Sequence, residues 1–290
     1  MRAVDDFFDY ELIDADNGNR LERWKDIILI RPDPQIIWNE GRKSELWNKA
    51  HAIYHRSNKG GGYWETLKPV PDVWTVDYKD LTFRLKPMGF KHTGLFPEQA
   101  VNWDIASNLI INANREISVL NLFAYTGGAT VACLKAGANV THVDASKGMV
   151  LWAKENAEAS GVANKKVRWL VDDCLKFVKR EIRRNKKYDA IIMDPPSYGR
   201  GPGGEVWKLE QQLNELLINV GELLSDNPLF FFLNSYTGGL SPTILNYMVK
   251  TFVVKNKNAI VKTDEIGLKC TARDVILPCG NTTYWINNNG

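Results

Sequence analysis

Val119-Leu-Asn-Leu-Phe-Ala-Tyr-Thr-Gly-Gly-Ala-Thr130 runs from an apolar strand through a glycine turn into a helix. That order opens the nucleotide-binding half of an α/β sheet. Gly127 and Gly128 allow dihedral angles that a side chain forbids and let the main chain approach a ligand closely. The stretch therefore predicts a ligand loop over Asn121, Ala124, Tyr125, Thr126 and Gly127, with a purely structural turn as the alternative. A dinucleotide site asks for three glycines as G-x-G-x-x-G, because pyrophosphate nestles against the helix N-terminus. This loop lacks that spacing. Small residues and backbone polar groups suit the methionine end of S-adenosylmethionine, which has no phosphate, so the loop favours methyl transfer over nicotinamide chemistry.

Outward from this loop, short β-branched runs at 118–123, 139–143, 167–171, 188–193 and 229–233 alternate with helical stretches at 104–113, 128–136, 147–160, 174–184 and 206–224. Such alternation predicts a parallel sheet with helices on both faces. A helix at 242–252 and runs at 259–265 and 282–286 suit an antiparallel pair closing the sheet edge. The expected fold class is α/β, a Rossmann-like, seven-stranded, mostly parallel sheet. Before about residue 88 the rhythm is of short β segments broken by Pro and Gly, at 27–30, 35–38, 52–55, 74–78 and 81–85. The last two form a hairpin turning at Tyr78, Lys79 and Asp80. A small β-rich domain over 1–90 and a catalytic domain over 91–290 are the expected division, with a frayed end at 287–290.

Acidic residues punctuate the next strand ends, on the edge where open α/β sheets bind ligands. His142-Val-Asp144-Ala145-Ser146 places Asp144 to accept both ribose hydroxyls. Alternatively Asp144 caps the following helix, a task open to Ser146 as well. At Val171-Asp-Asp-Cys174, Asp173, preferred over Asp172, would take the adenine amino group while the backbone at Cys174 reaches a ring nitrogen. Helix capping is again the alternative. The fourth strand runs into Asp194-Pro195-Pro196-Ser197-Tyr198 and a glycine-rich stretch, 199–204. The prolines stiffen the exit and remove two donors, leaving carbonyls as fixed acceptors. Asp194 can orient a target or take its proton. Tyr198 offers a face for a flipped-out base, or is a packed loop tyrosine.

Together Asn121-Leu-Phe-Ala-Tyr-Thr-Gly-Gly128, Val143-Asp-Ala-Ser146, Asp194-Pro-Pro-Ser-Tyr198 and the upstream His92-Thr-Gly-Leu-Phe-Pro-Glu-Gln99 resemble the bacterial ribosomal RNA large-subunit methyltransferase I family. The likeness is to its shorter members without a PUA domain and runs from about Trp64 onward. It implies a class I S-adenosylmethionine-dependent methyltransferase acting on RNA, ribosomal RNA above others. It also implies that Phe96 and Gln99 line the cofactor pocket and that the N-terminal domain helps hold substrate. Members of the family that make 5-methylcytosine carry a cysteine nucleophile after the fifth strand, where this chain reads Phe232-Leu-Asn234-Ser-Tyr236. Methylating a cytosine ring carbon needs covalent attack. The departure therefore points to direct in-line transfer to a nitrogen, with Asp194, Pro195 and Asn234 as acceptors. The family's N-methylators place an aromatic straight after Pro-Pro; here Ser197 intervenes, which leaves the target atom open.

With 44% hydrophobic and 24% charged residues among 290, the composition excludes disordered and fibrous classes. No apolar run approaches the roughly 20 residues of a membrane span. The acidic start MRAVDDFFDYELIDADNG lacks a signal peptide's basic start and apolar stretch, so a cytoplasmic enzyme is expected. Cys133, Cys174, Cys270 and Cys279 form no CxxC pair and read as reduced, mostly buried thiols, with no metal site implied. A net charge of +3 permits an RNA partner without requiring one. Lys176, Lys179, Arg180, Arg183, Arg184, Lys186 and Lys187 recur at helical spacing and either meet phosphates or form a solvated face. Trp38, Trp47, Trp64 and Trp74 stack bases or fill a core, and Tyr63 with residues 60–62 suggests a substrate-facing loop. The rival functions are a protein or small-molecule methyltransferase, an RNA-binding protein on an inactive methyltransferase fold, and a nicotinamide-dependent oxidoreductase. Oligomeric state is left open.

Overall fold

A computed structural model describes residues 1–57, 61–254 and 259–287. Backbone contacts divide the chain into two units: Arg2–Val101 with Gly267–Cys279 form the smaller, and Asn102–Ile266 with the chain from Gly280 form the larger. The first division thus falls after Val101 rather than after residue 90, and the smaller unit reclaims a late segment. Arg273 explains the return. Its guanidinium meets Asp14 at 2.6 Å, Glu40 at 3.1 Å and Asp16 at 3.5 Å, and Thr271 and Ala272 donate backbone hydrogen bonds to the carbonyls of Leu12 and Ile13.

The smaller unit holds β1 (Arg2–Val4), β2 (Tyr10–Asp16), β3 (Asn19–Trp24), β4 (Ile27–Pro32), β5 (Ala52–Arg56), β6 (Gly62–Thr66), β7 (Trp74–Tyr78) and β8 (Leu81–Leu85). Strands β2 to β6 make a five-stranded sheet in chain order, and β7 pairs with β8 as the expected hairpin. The β2–β3 hairpin was not anticipated. Its turn, Asn17-Gly18, has φ of 46° and 73°, the left-handed pair that two-residue hairpins favour. Asp14, Asp16, Arg20 and Glu22 make both strands read as polar, yet all four are buried. They are buried because they are paired. Glu22 takes two hydrogen bonds from Arg31, at 2.5 and 2.8 Å, and a third from the Tyr10 hydroxyl at 2.7 Å.

Residues 35–38 are not a strand: Pro34 follows Asp33 into a turn, and Asp33 Oδ1 accepts the Gln35 N–H at 3.0 Å. Gly62 and Tyr63 belong to β6 and not to a loop; residue 60 lies outside the described residues. Trp47 and Trp74 are buried, while Trp38 and Trp64 donate to the carbonyls of Ala15 and Met88. Two of the rings thus lie in the core, and the other two are part-buried and held by main-chain hydrogen bonds.

The larger unit carries α1 (Ala100–Asn112), β9 (Ser118–Leu122), α2 (Gly128–Lys135), β10 (Asn139–Asp144), α3 (Lys147–Ala159), β11 (Val167–Val171), α4 (Cys174–Arg183), β12 (Ala190–Met193), β13 (Tyr198–Arg200), β14 (Val206–Lys208), α5 (Leu209–Gly221), β15 (Phe230–Ser235), α6 (Pro242–Phe252) and most of β16 (Val261–Lys269) and β17 (Ile276–Ile286), whose facing ends fall in the returning segment Gly267–Cys279. In the larger unit the sheet order is β16-β17-β15-β12-β9-β10-β11, so the seven expected strands are present. Strands β9 to β12 and β15 run parallel, and β17 is antiparallel to β15. Phe230, Phe231, Phe232 and Leu233 are all buried, as a strand covered by helices on both faces requires. Leu213, Leu216, Leu217 and Val220 line the buried side of α5 at helical spacing. The stretch at 206–224 was expected to be helical throughout, but Val206, Trp207 and Lys208 pair with β13 and the helix begins at Leu209. No helix among the described residues is long and apolar enough to cross a membrane.

Burial alone would raise the Glu22 carboxyl; the charges of Arg20 and Arg31 and the hydrogen bonds from Arg31 and Tyr10 overcome it and hold it at about 2. The stability this supplies is present above the ordinary carboxyl value of 4.5 and is lost as pH falls through 2. Glu22→Gln leaves two buried guanidinium groups without their shared charge and is expected to cost about 3–5 kcal/mol, read from urea unfolding at neutral pH.

Candidate functional site

The chain crosses the sheet outward from β9 to β10 and β11, then returns to the other side of β9 with β12. The crevice at that reversal is where open α/β sheets bind ligands. Register brings the strand ends together. Leu122 pairs with Met193 on one side and Val143 on the other, and Asp144 pairs with Val171. Phe123, Asp144, Asp172 and Asp194 therefore leave the sheet at one edge, with the Asp194 N–H on the Leu122 carbonyl at 3.3 Å.

The loop after β9 is strained. Phe123 and Tyr125 have φ of 55° and 51°, and Gly127 of 82°. A left-handed residue other than glycine costs on the order of 1–3 kcal/mol and persists only where its surroundings impose it. Here the Ala124 N–H reaches the Val143 carbonyl at 3.1 Å, the Tyr125 N–H reaches Asp144 Oδ2 at 2.8 Å, and the Asn156 side-chain amide of α3 donates to the Thr126 carbonyl at 2.8 Å. A Cβ at Gly127 would lie 2.8 Å from that of Ala153, and one at Gly128 would lie 2.6 Å from the Trp103 ring. Both glycines thus serve close packing as well as conformation. Asn121 lies under the loop, its amide on Thr130 Oγ1 at 2.9 Å, and the same hydroxyl meets His142 Nδ1 at 2.9 Å.

Ser146 caps α3 by accepting the Met149 N–H, which releases Asp144 from that task. The second oxygen of Asp144 accepts the Ser146 N–H at 2.8 Å, and burial raises its carboxyl. Asp173 does cap α4, with Oδ1 on the Lys176 N–H at 2.9 Å; Asp172 is paired with Arg180. The Cys174 thiol is buried 3.4 Å from the Phe123 nitrogen and pushed well above its ordinary value, first by that burial. On α4 and just beyond it, Lys176 meets Glu205, Lys179 meets Glu215 at 2.5 Å, Arg184 meets Glu181 at 3.2 Å and Lys187 donates to the Glu222 carbonyl at 2.6 Å. The basic spacing is largely answered inside the protein.

Two expected acceptors are already engaged. The Pro196 carbonyl takes the Trp207 indole N–H at 2.6 Å, and Trp207 packs against Phe123 with centroids 5.1 Å apart. Pro195 is buried at the exit, whereas Tyr198 is 52% exposed at the start of β13. Asn234 is not an open acceptor: it is 2% exposed, and its Oδ1 accepts Asn102 Nδ2 at 3.1 Å and Thr282 Oγ1 at 2.8 Å. Phe96 and Gln99 belong to the smaller unit, at a short 3-10 turn, Pro97–Gln99. From Asn121 to Gly128 and from Asp144 to Ser146 there is no lysine or arginine. Carboxylate and backbone groups of this kind suit a cofactor with an amine, hydroxyls and a cationic sulfur better than one with phosphates.

The family of S-adenosylmethionine-dependent methyltransferases matches residues 31–234. The crystal structure of such a methyltransferase from Agrobacterium tumefaciens is 34% identical, with a TM-score of 0.90 over 96% of this chain and 90% of its own. The chain belongs to this family. It is an enzyme whose cofactor is S-adenosylmethionine, and the nicotinamide reading falls. The methyltransferase also shares 34% identity over 166 residues with the ribosomal RNA large subunit methyltransferase K/L of Shewanella frigidimarina, 57% of this chain and 22% of that protein. With the protein of that name from Cellvibrio japonicus it shares 28% over 192 residues, 64% of this chain and 25% of that protein. The chain spans about a quarter or less of these relatives.

Sequence reading missed Asn156, Trp207, Asn102 and Thr282, which hold the methyltransferase's loops from behind. Only Asn156, a buried-face asparagine in a helix, carried a local signal. Asn156→Ala removes the side-chain hydrogen bond to the Thr126 carbonyl and is expected to weaken S-adenosylhomocysteine binding by about 1–3 kcal/mol, measured by calorimetry. Burial holds His142 at about 3, and burial with the charges of Arg31, Lys91 and Arg20 holds His92 there too. Both fold uncharged, so their contribution is complete above the ordinary histidine value of 6.5 and declines as pH falls toward 3. The denaturation midpoint of the methyltransferase should drop across that window, before Glu22 is protonated.

Proposed function

We propose that this methyltransferase acts on RNA, with ribosomal RNA favoured, and methylates a base nitrogen in the cytoplasm as a shorter relative of the ribosomal large-subunit enzymes. The observation that carries the reading is the Asp194-Pro-Pro-Ser-Tyr198 exit beside the strained loop, in a chain one-third identical over 166 residues to a protein named for ribosomal RNA methylation. The backbone of Ala124 to Gly127 receives the methionine end, Asp144 with Ala145 and Ser146 the ribose, and Asp173 with the backbone of Cys174 the adenine. Asn121 supports the loop from below. The cofactor, when bound, supplies a methyl group activated by a positively charged sulfur.

Asp194 and the Pro195 carbonyl orient the target nitrogen, and Asp194 takes its proton. Tyr198, exposed beside them, stacks on the extruded base. Asn234, locked to Asn102 and Thr282, positions the end of β15 and does not touch substrate. Nitrogen is favoured because Cys133, Cys174 and Cys270 are buried and all four thiols are shifted upward, which leaves none suited to the covalent attack that ring-carbon methylation needs. The internal pairing of the α4 cations favours one second reading, a protein or small-molecule substrate.

Tritiated methyl transfer from S-adenosylmethionine to total RNA, to protein and to small-molecule fractions separates these readings. Label in ribosomal RNA is expected; label in protein or small molecules alone would establish the second reading. Asp194→Asn should lower kcat by about 10²- to 10⁴-fold with cofactor affinity unchanged, while Asp144→Ala should weaken S-adenosylhomocysteine binding itself.

A further inference from the structure

In the smaller unit the chain after β8 doubles back. The Lys86 N–H reaches the Thr93 carbonyl at 3.1 Å and the Met88 N–H reaches the His92 carbonyl at 3.3 Å, which puts Gly89, Phe90 and Lys91 at the tip. Trp64 of β6 donates from Nε1 to the Met88 carbonyl at 2.9 Å and so fastens this tip to one face of β6. Tyr54 of β5 shares that face, its ring 5.4 Å from Trp64. Side chains alternate along a strand, so Arg56, two residues beyond Tyr54, is on the same face. Tyr63 is on the opposite one, against His55.

Phe90 stands edge-on to His92, 5.5 Å between centroids, and is 44% exposed. Beside it Lys91 has a main-chain partner, the Pro32 carbonyl at 3.3 Å, and its own carbonyl takes Arg31 Nη1 at 3.0 Å. Underneath, Arg20 and Arg31 share Glu22, and Arg20 lies 3.6 Å from Asp33 with its Nε lacking a hydrogen bond. Arg20, Arg31, Arg56 and Asp33 act on Lys91, while Glu98, Glu22 and Asp33 with Arg20 act on the neighbouring Cys279. Burial, then the charges of Arg20, Arg31 and Arg56 against that of Asp33, draw Lys91 down to about 8. Positive charge thus outweighs negative around a part-buried lysine beside an open ring. Phosphate beside an unstacked base answers both features, and a duplex offers no such base.

We propose that Phe90, Lys91 and Arg56 form a docking surface for single-stranded RNA on the smaller unit, Phe90 stacking on a base and the two cations meeting backbone phosphates. This rests on the RNA reading above and supplies the phosphate contacts that the paired cations of α4 do not.

The test is fluorescence anisotropy of a short labelled single-stranded oligoribonucleotide with the full chain, over a salt series. Calorimetry with S-adenosylhomocysteine shows that each variant is folded. Arg56→Gln and Lys91→Gln are each expected to flatten the log–log salt slope by about 0.7. Phe90→Ala should weaken binding roughly 5- to 100-fold at every salt concentration without altering the slope. Tyr63→Ala, on the other face of β6, should change neither. Native RNA binding matched by all four variants would overturn this surface and leave the RNA reading standing. A native protein that binds S-adenosylhomocysteine but no RNA, and transfers no methyl to it, would overturn both.

Discussion

The carboxylate of Asp144 joins the two loops that make the candidate cofactor edge. One oxygen accepts the Tyr125 N–H and the other the Ser146 N–H, so the strained loop after β9 and the turn into α3 are fixed to the same group. The arrangement depends on register, because Asp144 is brought to that level by the pairing of Val143 with Leu122. Asn156 closes the loop from the other side. A loop with two left-handed non-glycine residues has no intrinsic reason to hold its shape, and these partners impose one.

The exit of β12 is shaped by the same economy of backbone partners. Two prolines remove two donors, and the carbonyl of the second is then taken by Trp207, whose ring packs on Phe123. Loop and exit are thereby coupled through one indole. With the Pro196 carbonyl engaged, the substrate role proposed above falls to Asp194, Pro195 and the exposed ring of Tyr198. In the smaller unit the organising device is charge: Glu22 lies at the centre of Tyr10, Arg20 and Arg31, and the cations exceed their partners toward Lys91 and Arg56.

The alternation of strand and helix from Ser118 onward was legible because period and turn chemistry are local properties, and the strand-end acidic residues were legible for the same reason. The β2–β3 hairpin escaped notice even though Asn17-Gly18 is a local turn signal. Its strands carry the carboxylates and guanidinium of a buried ion cluster, which in sequence look like solvated charge. Val206 to Lys208 escaped for a similar reason, since their strand character comes from pairing with Tyr198 to Arg200 and from the indole bond to Pro196.

By itself the sequence determined the α/β class, the order of strands and helices, and the presence of Asp144, Asp173 and Asp194 at strand ends, since all of these follow from spacing along the chain. Tertiary structure alone decided which side chains are still available there. It turned Asn234 into a buried partner of Asn102 and Thr282, closed the Pro196 carbonyl, gave Asp173 a helix to cap, and returned Arg273 to Asp14 across more than half the chain. Hydrogen-bond capacity and charge are used up by contacts whose partners lie far apart in sequence, and no local pattern records who those partners are.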